Sequence, residues 1–241
     1  MKSILCALCT LVVLPASALA DVLVVDQANG PGTDFVVLQE AIDFAMPGDA
    51  LLIRAGTYPG FYLDKGISLI GQGGVTVDEG SLVRWVDASQ LVVLADLNLV
   101  SLDLSNVDGT IVLSDLFADA AAELISRQAF LRIEACADVR VIRMEVLRPS
   151  GEAARITNSR VEFTDSDLWG RSGAYWALDC SGSLDSYSGV TAFRDSRVHL
   201  AACRVRGGTG GSIDTYYGSC SGACEYGGDG SSAIRAGWGL L

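Results

Sequence analysis

Positive charge is scarce in this chain. Its 241 residues carry 17 Lys and Arg against 29 Asp and Glu, a formal charge of −12 at pH 7. Nucleic acid, which is held by clustered cations, is thereby excluded as a partner. Histidine is scarcer still. The single one, His199, lies far from the Cys-x-x-x-Cys pair Cys220 and Cys224, which is left short of the ligands a zinc site needs, so no metal is expected. Beyond the N-terminus no apolar run is long enough to cross a bilayer, and no transmembrane segment is read. Only 19% of the chain is charged while 50% is hydrophobic, which excludes disorder and supplies a long core.

The first residues are of a different kind. Met1-Lys2, the apolar Ile4–Leu14 and the small residues Ala18 and Ala20 follow the order of a secretory signal peptide, residues 1–20, cleaved after Ala20. Neither Cys6 nor Cys9 fits a lipoprotein site, so a released, extracellular or loosely surface-bound protein is expected. Export permits disulfides, but the five remaining cysteines (Cys136, Cys180, Cys203, Cys220 and Cys224) are odd in number, so at least one stays free or pairs between chains.

From residue 33 the chain reads TDFVVLQEAIDFAMPGDALLIRAGTYPGFYLDKGISLIGQG. Phe35, Leu38, Ile42 and Ala45 recur three or four apart and predict an amphipathic helix over Asp34–Met46, with Asp34 as N-cap and Pro47-Gly48 as its stop. Apolar runs of strand length follow, Ala50–Ile53, Phe61–Leu63 and Ile67–Ile70, punctuated by Gly56, Pro59-Gly60 and Gly66. This segment resembles the N-terminal cap and first coils of the right-handed parallel β-helix family, the pectin-lyase-like superfamily. The resemblance implies an all-β solenoid with an N-terminal capping α-helix in a secreted bacterial protein. It implies little about activity, because that superfamily holds lyases, hydrolases, adhesins and binding proteins.

Self-similarity supports a repeat. Gln90–Leu97 lies over Gly109–Leu116 at an offset of 19, and Ile156–Gly170 over Phe193–Gly207 at an offset of 37; Leu131–Leu147 fits with a one-residue gap. Seven or eight rungs are expected, with the cap at 21–48, rungs over 49–207, loops at 171–188 and 208–229, and an incomplete last rung at 231–241. Leucines in Leu91–Leu116 suggest a leucine-rich repeat, but its asparagine and leucine spacing is not kept. Alternation puts Val161, Phe163, Leu168, Val198, Leu200, Cys203 and Val205 inside. Two outward columns follow, Arg140, Glu162, His199 and Glu145, Asp167, Arg204, both mixed in charge and readable as cross-strand pairs. Asn158 over Asp195 reads as a stacked corner.

The two loops gather aromatic residues. Tyr175, Trp176, Tyr187, Tyr216, Tyr217 and Tyr226 lie in them, with Trp169 at the base of the first. Such rings either pack on one another over the flank or stack on the apolar faces of sugars; Trp169, Tyr175, Trp176, Tyr187, Tyr216 and Tyr217 are the candidate ligand contacts. Cys180, Cys220 and Cys224 are the disulfide candidates that would staple the loops. Catalysis has weaker support. Asp165 and Asp167 could span the separation an inverting hydrolase needs. The superfamily's hydrolases add Gly-His-Gly and Arg-x-Lys segments, which this sequence lacks. A lyase would bring calcium and an arginine base, for which Glu145, Asp167 and Arg204 are the candidates; otherwise no cofactor is implied. The leading expectation is a non-catalytic protein that binds a polysaccharide or cell-envelope glycan. The alternatives are a polysaccharide lyase or glycoside hydrolase, and a purely structural role. The last rung has no cap, so either the chain is a fragment of a longer one or that end meets a partner, for which self-association is the expectation.

Overall fold

The computed structural model describes residues 20–118, 129–147, 151–170, 190–207 and 234–236. Within them the chain is almost entirely β, with eighteen strands and one helix, and every strand pairing is parallel. The strands form three ladders. The first is β1 (Val22–Val25), β2 (Ala50–Ile53), β5 (Ser68–Gly71), β7 (Leu91–Ala95), the end of β8 (Asn98–Ser114), the end of β10 (Leu131–Ile142), β13 (Arg160–Thr164) and β16 (Arg197–Ala201). The second is β3 (Gly56–Tyr58), the starts of β6 (Val75–Arg84) and β8, β9 (Phe117–Ala118), β11 (Glu145–Val146), β14 (Asp167–Trp169) and β17 (Arg204–Arg206). The third is β4 (Tyr62–Leu63), the end of β6, the middle of β8, the start of β10, β12 (Ala154–Thr157), β15 (Val190–Phe193) and β18 (Ile234–Ala236). From β2 onward the chain visits the ladders in one fixed order, first, second, third, then first again.

Register follows the apolar alternation. Leu23, Leu51, Leu69, Leu94, Leu113, Val141, Phe163 and Leu200 stand on consecutive strands of the first ladder in one inward column. The offset of 19 is the pairing of Val93 with Val112, and that of 37 the pairing of Val161 with Val198. Where β10 meets β8 the register shifts between Cys136 and Asp138. Among the described residues no strand pairs on the far side of β16 or β17. Val198, Leu200, Cys203 and Val205 accordingly face inward but are only half-buried, so Cys203 is not the buried thiol its parity suggests. Cys136 is buried, and burial pushes its thiol up to about 11; both cysteines are free.

Two corners repeat along the molecule. Between the first and second ladders the turning residues are Asp96, Asp115, Arg143, Asp165 and Ala202; between the third and first they are Trp85, Asn106, Ala135, Asn158 and Arg194. All ten have φ between 48° and 59°. One left-handed residue turns each strand sharply and hands its N–H to the next coil, as from Asp115 to the Ile142 carbonyl at 3.0 Å. Register sets Asn158 over Arg194, one residue short of the expected Asp195, because Thr157 pairs with Phe193.

The helix, α1 (Leu38–Phe44), is shorter than its apolar stripe suggested and buries Leu38, Ala41 and Ile42. Asp34 does not cap it. Its carboxylate accepts the Val24 N–H at 2.8 Å, satisfying the outer edge of β1, and the helix begins after Val37 with no side-chain cap. Phe35 leaves the helix to bridge Val25. Beside this end, Asp26 accepts the Ala28 and Gly30 N–H groups at 2.8 and 3.0 Å and Arg54 Nη1 at 2.9 Å. The Arg54 hydrogen bond, aided by those amides, holds the Asp26 carboxyl below its ordinary 3.8. A depressed folded value stabilises the protein above the ordinary one, and that contribution is lost as pH falls through the folded value. The melting-temperature gap between the wild type and Asp26→Asn should therefore narrow between about pH 5 and pH 2; a gap that stays constant would show that the charge is immaterial.

Candidate functional site

The connections from the second ladder to the third are unlike all others. In the first coils they are short or absent, since β6 and β8 run through from one ladder to the next. Thereafter they cover residues 119–130, 147–153, 170–189 and 207–233, all leaving and returning at this same edge. Residues 170–189 and 207–233 spring from adjacent points, since Trp169 pairs with Arg206 and the Gly170 N–H donates to the Arg206 carbonyl at 2.7 Å.

Beside that edge the outer face of the third ladder carries a groove of about 730 Å³. In-register stacking brings its lining together from residues far apart in sequence: Asp103 on β8, Arg132 and Glu134 on β10, Arg155 and Thr157 on β12, Phe193 on β15 and the corner residue Arg194. Arg132 and Arg155 face each other across neighbouring strands, a like-charge pair that destabilises a sheet unless it is compensated. Carboxylates compensate it. Arg132 Nη2 is 2.9 Å from Glu134 and its Nη1 is 3.9 Å from Asp103. Arg155 Nε donates to Glu152 at 2.7 Å, and Glu152, buried, also accepts the hydroxyl of the fully buried Thr191 at 2.7 Å. Arg155 is thus held by a fixed anion at its Nε, and its Nη groups have no partner among the described residues. Burial pushes the Asp103 carboxyl above its ordinary value, with Glu134 adding to the rise and Arg132 opposing it.

The sequence-predicted residues have other positions. Glu145, Asp167 and Arg204 stand in register on the second ladder, as do Arg140, Glu162 and His199 on the first. Arg204 is ion-paired with Asp167, and His199 Nδ1 is 3.4 Å from Glu162. Each column thus makes one cross-strand pair at the surface, Arg140 pairing instead with Asp138 on its own strand, and neither column lines the groove. Trp169 is half-buried, donates its indole N–H to Asp167 at 3.4 Å and has the Arg206 guanidinium 4.8 Å from its ring. Tyr175, Trp176, Cys180, Tyr187, Tyr216, Tyr217, Cys220, Cys224 and Tyr226 lie outside the described residues, as does the segment 1–19. Among the described residues no three His, Cys, Asp or Glu cluster as a metal site, and no helix is long and apolar enough to cross a membrane.

Sequence reasoning missed the groove. Its residues are ordinary charged strand positions separated by 20 to 40 residues, and only the register makes them neighbours. No family model, curated protein or solved structure matches this chain.

Proposed function

We propose that this chain is a secreted right-handed parallel β-helix that holds a polysaccharide or cell-envelope glycan along the outer face of its third ladder without turning it over. One observation carries the reading: the described ends of the four connections at 119–130, 147–153, 170–189 and 207–233 all lie at the edge of the face that bears the groove. A linear polymer suits such a face, because each coil offers one row of polar side chains about 4.8 Å from the next. Arginine guanidinia, a threonine hydroxyl and the Phe193 ring are groups that hydrogen-bond or stack on sugars. The aromatic-rich segments 171–188 and 208–229 belong to the two longest connections, so their rings have one edge from which to reach a bound chain. Export to the cell exterior is part of the proposal and rests on residues 1–20.

The test uses residues 21–241 on a glycan array. Alanine at Trp176, Tyr187 and Tyr216 together should weaken retention tenfold or more, at about 0.5–1.5 kcal/mol per stacked ring. Unchanged retention would remove these residues from the site. An enzymatic reading has one observation in its favour, the raised Asp103 carboxyl beside Arg132, which resembles an acid poised next to a cation. Release of unsaturated or reducing ends from the same polysaccharides would establish it. Silence in binding and turnover would leave a structural role.

A further inference from the structure

We infer that Trp85, Arg84 and Tyr62 form a second sugar-binding platform, specific for an uncharged pyranose, at the helix-capped end of the same face. The inference rests on the glycan reading above but uses none of the long connections. Its starting point is an anomaly in the corner column. At the positions where other coils place Asn106, Ala135, Asn158 and Arg194, this coil has tryptophan at φ 59°. The left-handed region is unfavourable for a bulky side chain, and asparagine is among the few residues that tolerate it. Burial does not compensate, since Trp85 is 59% exposed while the core beside it is closed by Val83 and Val86. Burial gives no reason for an indole here, and strained residues of this kind cluster at ligand sites.

The surroundings supply the reason. The Arg84 guanidinium lies 4.0 Å from the centroid of Trp85 and 5.1 Å from that of Tyr62, between the two rings, with Nε donating to the Tyr62 hydroxyl at 3.4 Å. The Trp85 backbone N–H donates to the Asn106 carbonyl at 3.0 Å, which holds the corner, and the ring itself is backed by the Arg84 guanidinium. An exposed indole with a cation on one face offers its remaining area as a flat apolar surface. That matches a pyranose, which has an apolar C–H face and hydroxyls at its rim. The formal charge of −12 disfavours a polyanion, so the occupant is neutral. Continuity with the groove is direct: Arg84 pairs with Ser105, Ser105 with Glu134, and Glu134 lines the groove. From β6 to β15 is four strand spacings, about 19 Å, so one oligosaccharide can cover both.

The experiment compares the wild type and Trp85→Asn, each as residues 21–241, by calorimetric titration with cellohexaose, xylohexaose and mannohexaose as neutral probes and hexagalacturonate as the acidic one. The expected result is that at least one neutral hexaose binds the wild type and that Trp85→Asn binds it tenfold or more weakly. The same variant should melt within about 4 °C of the wild type, since relief of the left-handed strain and loss of the exposed Arg84 stacking are each worth about 1 kcal/mol and oppose each other. A purely structural tryptophan would make the variant melt more than about 4 °C lower, and that outcome overturns the proposal. So does undiminished affinity in the variant, or tighter binding of hexagalacturonate than of every neutral hexaose. If the variant binds normally while the triple loop variant does not, the platform falls and the groove reading stands. If the wild type retains no glycan of any class, both fall together.

Discussion

Replacing Phe163 by alanine is expected to cost about 3–5 kcal/mol, a drop in melting temperature of roughly 6–20 °C for a chain of this size. Phe163 is fully buried on β13, stacked in register between Val141 and Leu200 in the longest apolar column of the core. The cost belongs at the high end because the hole cannot close. In a helical bundle the neighbours can lean into a cavity. Here each flanking side chain is tied to a strand held by parallel hydrogen bonds on both sides, and the coils cannot approach closer than the strand spacing. Leu200→Ala, one coil further along the same column, removes a half-buried side chain and should cost less than half as much. Thermal and urea melts of the two variants check this. Equal losses would mean that the column is covered beyond β16 as completely as it is at β13.

That column was legible in the sequence for a physical reason. Strand alternation sorts residues into inward and outward sets, and a coil repeat superposes the inward sets, so Val161, Phe163 and Leu168 could be aligned with Val198, Leu200 and Val205 before any coordinates were known. The outward columns came with it, since Arg140, Glu162 and His199 follow from the same parity. Parity carries no information at a corner. The left-handed turning residues are Trp, Asn, Ala and Arg in one column and Asp, Arg and Ala in the other, so no one residue type marks the corner in the sequence. The corner at Asn158 was therefore misplaced by one residue, and nothing in the alternation marked Trp85 as a corner. The helix was drawn too long for a related reason. Apolar periodicity cannot tell that Asp34 and Phe35 are claimed by the edge of β1, whose unpaired N–H needs an acceptor more than the helix needs a cap.

The groove shows the other limit of sequence reading. Nothing in Asp103, Arg132 or Arg155 taken singly distinguishes them from solvated strand residues. Their significance comes from one glutamate: Glu152 is buried and bonded to both Arg155 and Thr191, which converts a flexible arginine into a fixed donor. The Glu145, Asp167 and Arg204 column looked equally charged in sequence, but its Asp167 and Arg204 neutralise each other on a different ladder, outside the groove.

Gly71→Ala should be nearly as damaging as the loss of Phe163, through backbone and not through the core. A Cβ on Gly71 would stand 2.1 Å from the carbonyl oxygen of Asp96 and 3.1 Å from its carbon. Contacts that short require a shift, and the offending group is main chain, with no side-chain torsion to absorb it. Asp96 cannot retreat easily, since it is a left-handed corner residue whose N–H is bonded to the Ser114 carbonyl of the next coil. The transition between two kinds of corner explains the crowding. The coil of β5 continues through Gly71 and turns at Gly73 and Gly74, φ 75° and 67°, whereas the next coil turns at the single left-handed Asp96, which follows the Ile70–Ala95 pair in register and so sets its carbonyl against the Gly71 α-carbon. The expected cost is at least about 3 kcal/mol, the upper end for overpacking, or about 6–12 °C in melting temperature. Gly73→Ala is the matched comparison. It has φ 75° but nothing within 4 Å of its Cβ, so it meets only the torsional penalty of about 1 kcal/mol, roughly 2–4 °C. A calorimetric ranking with Gly73→Ala the milder supports stacking this tight between the second and third coils of the first ladder's corner. The reverse ranking would mean that the coils are further apart at that corner than their registers require.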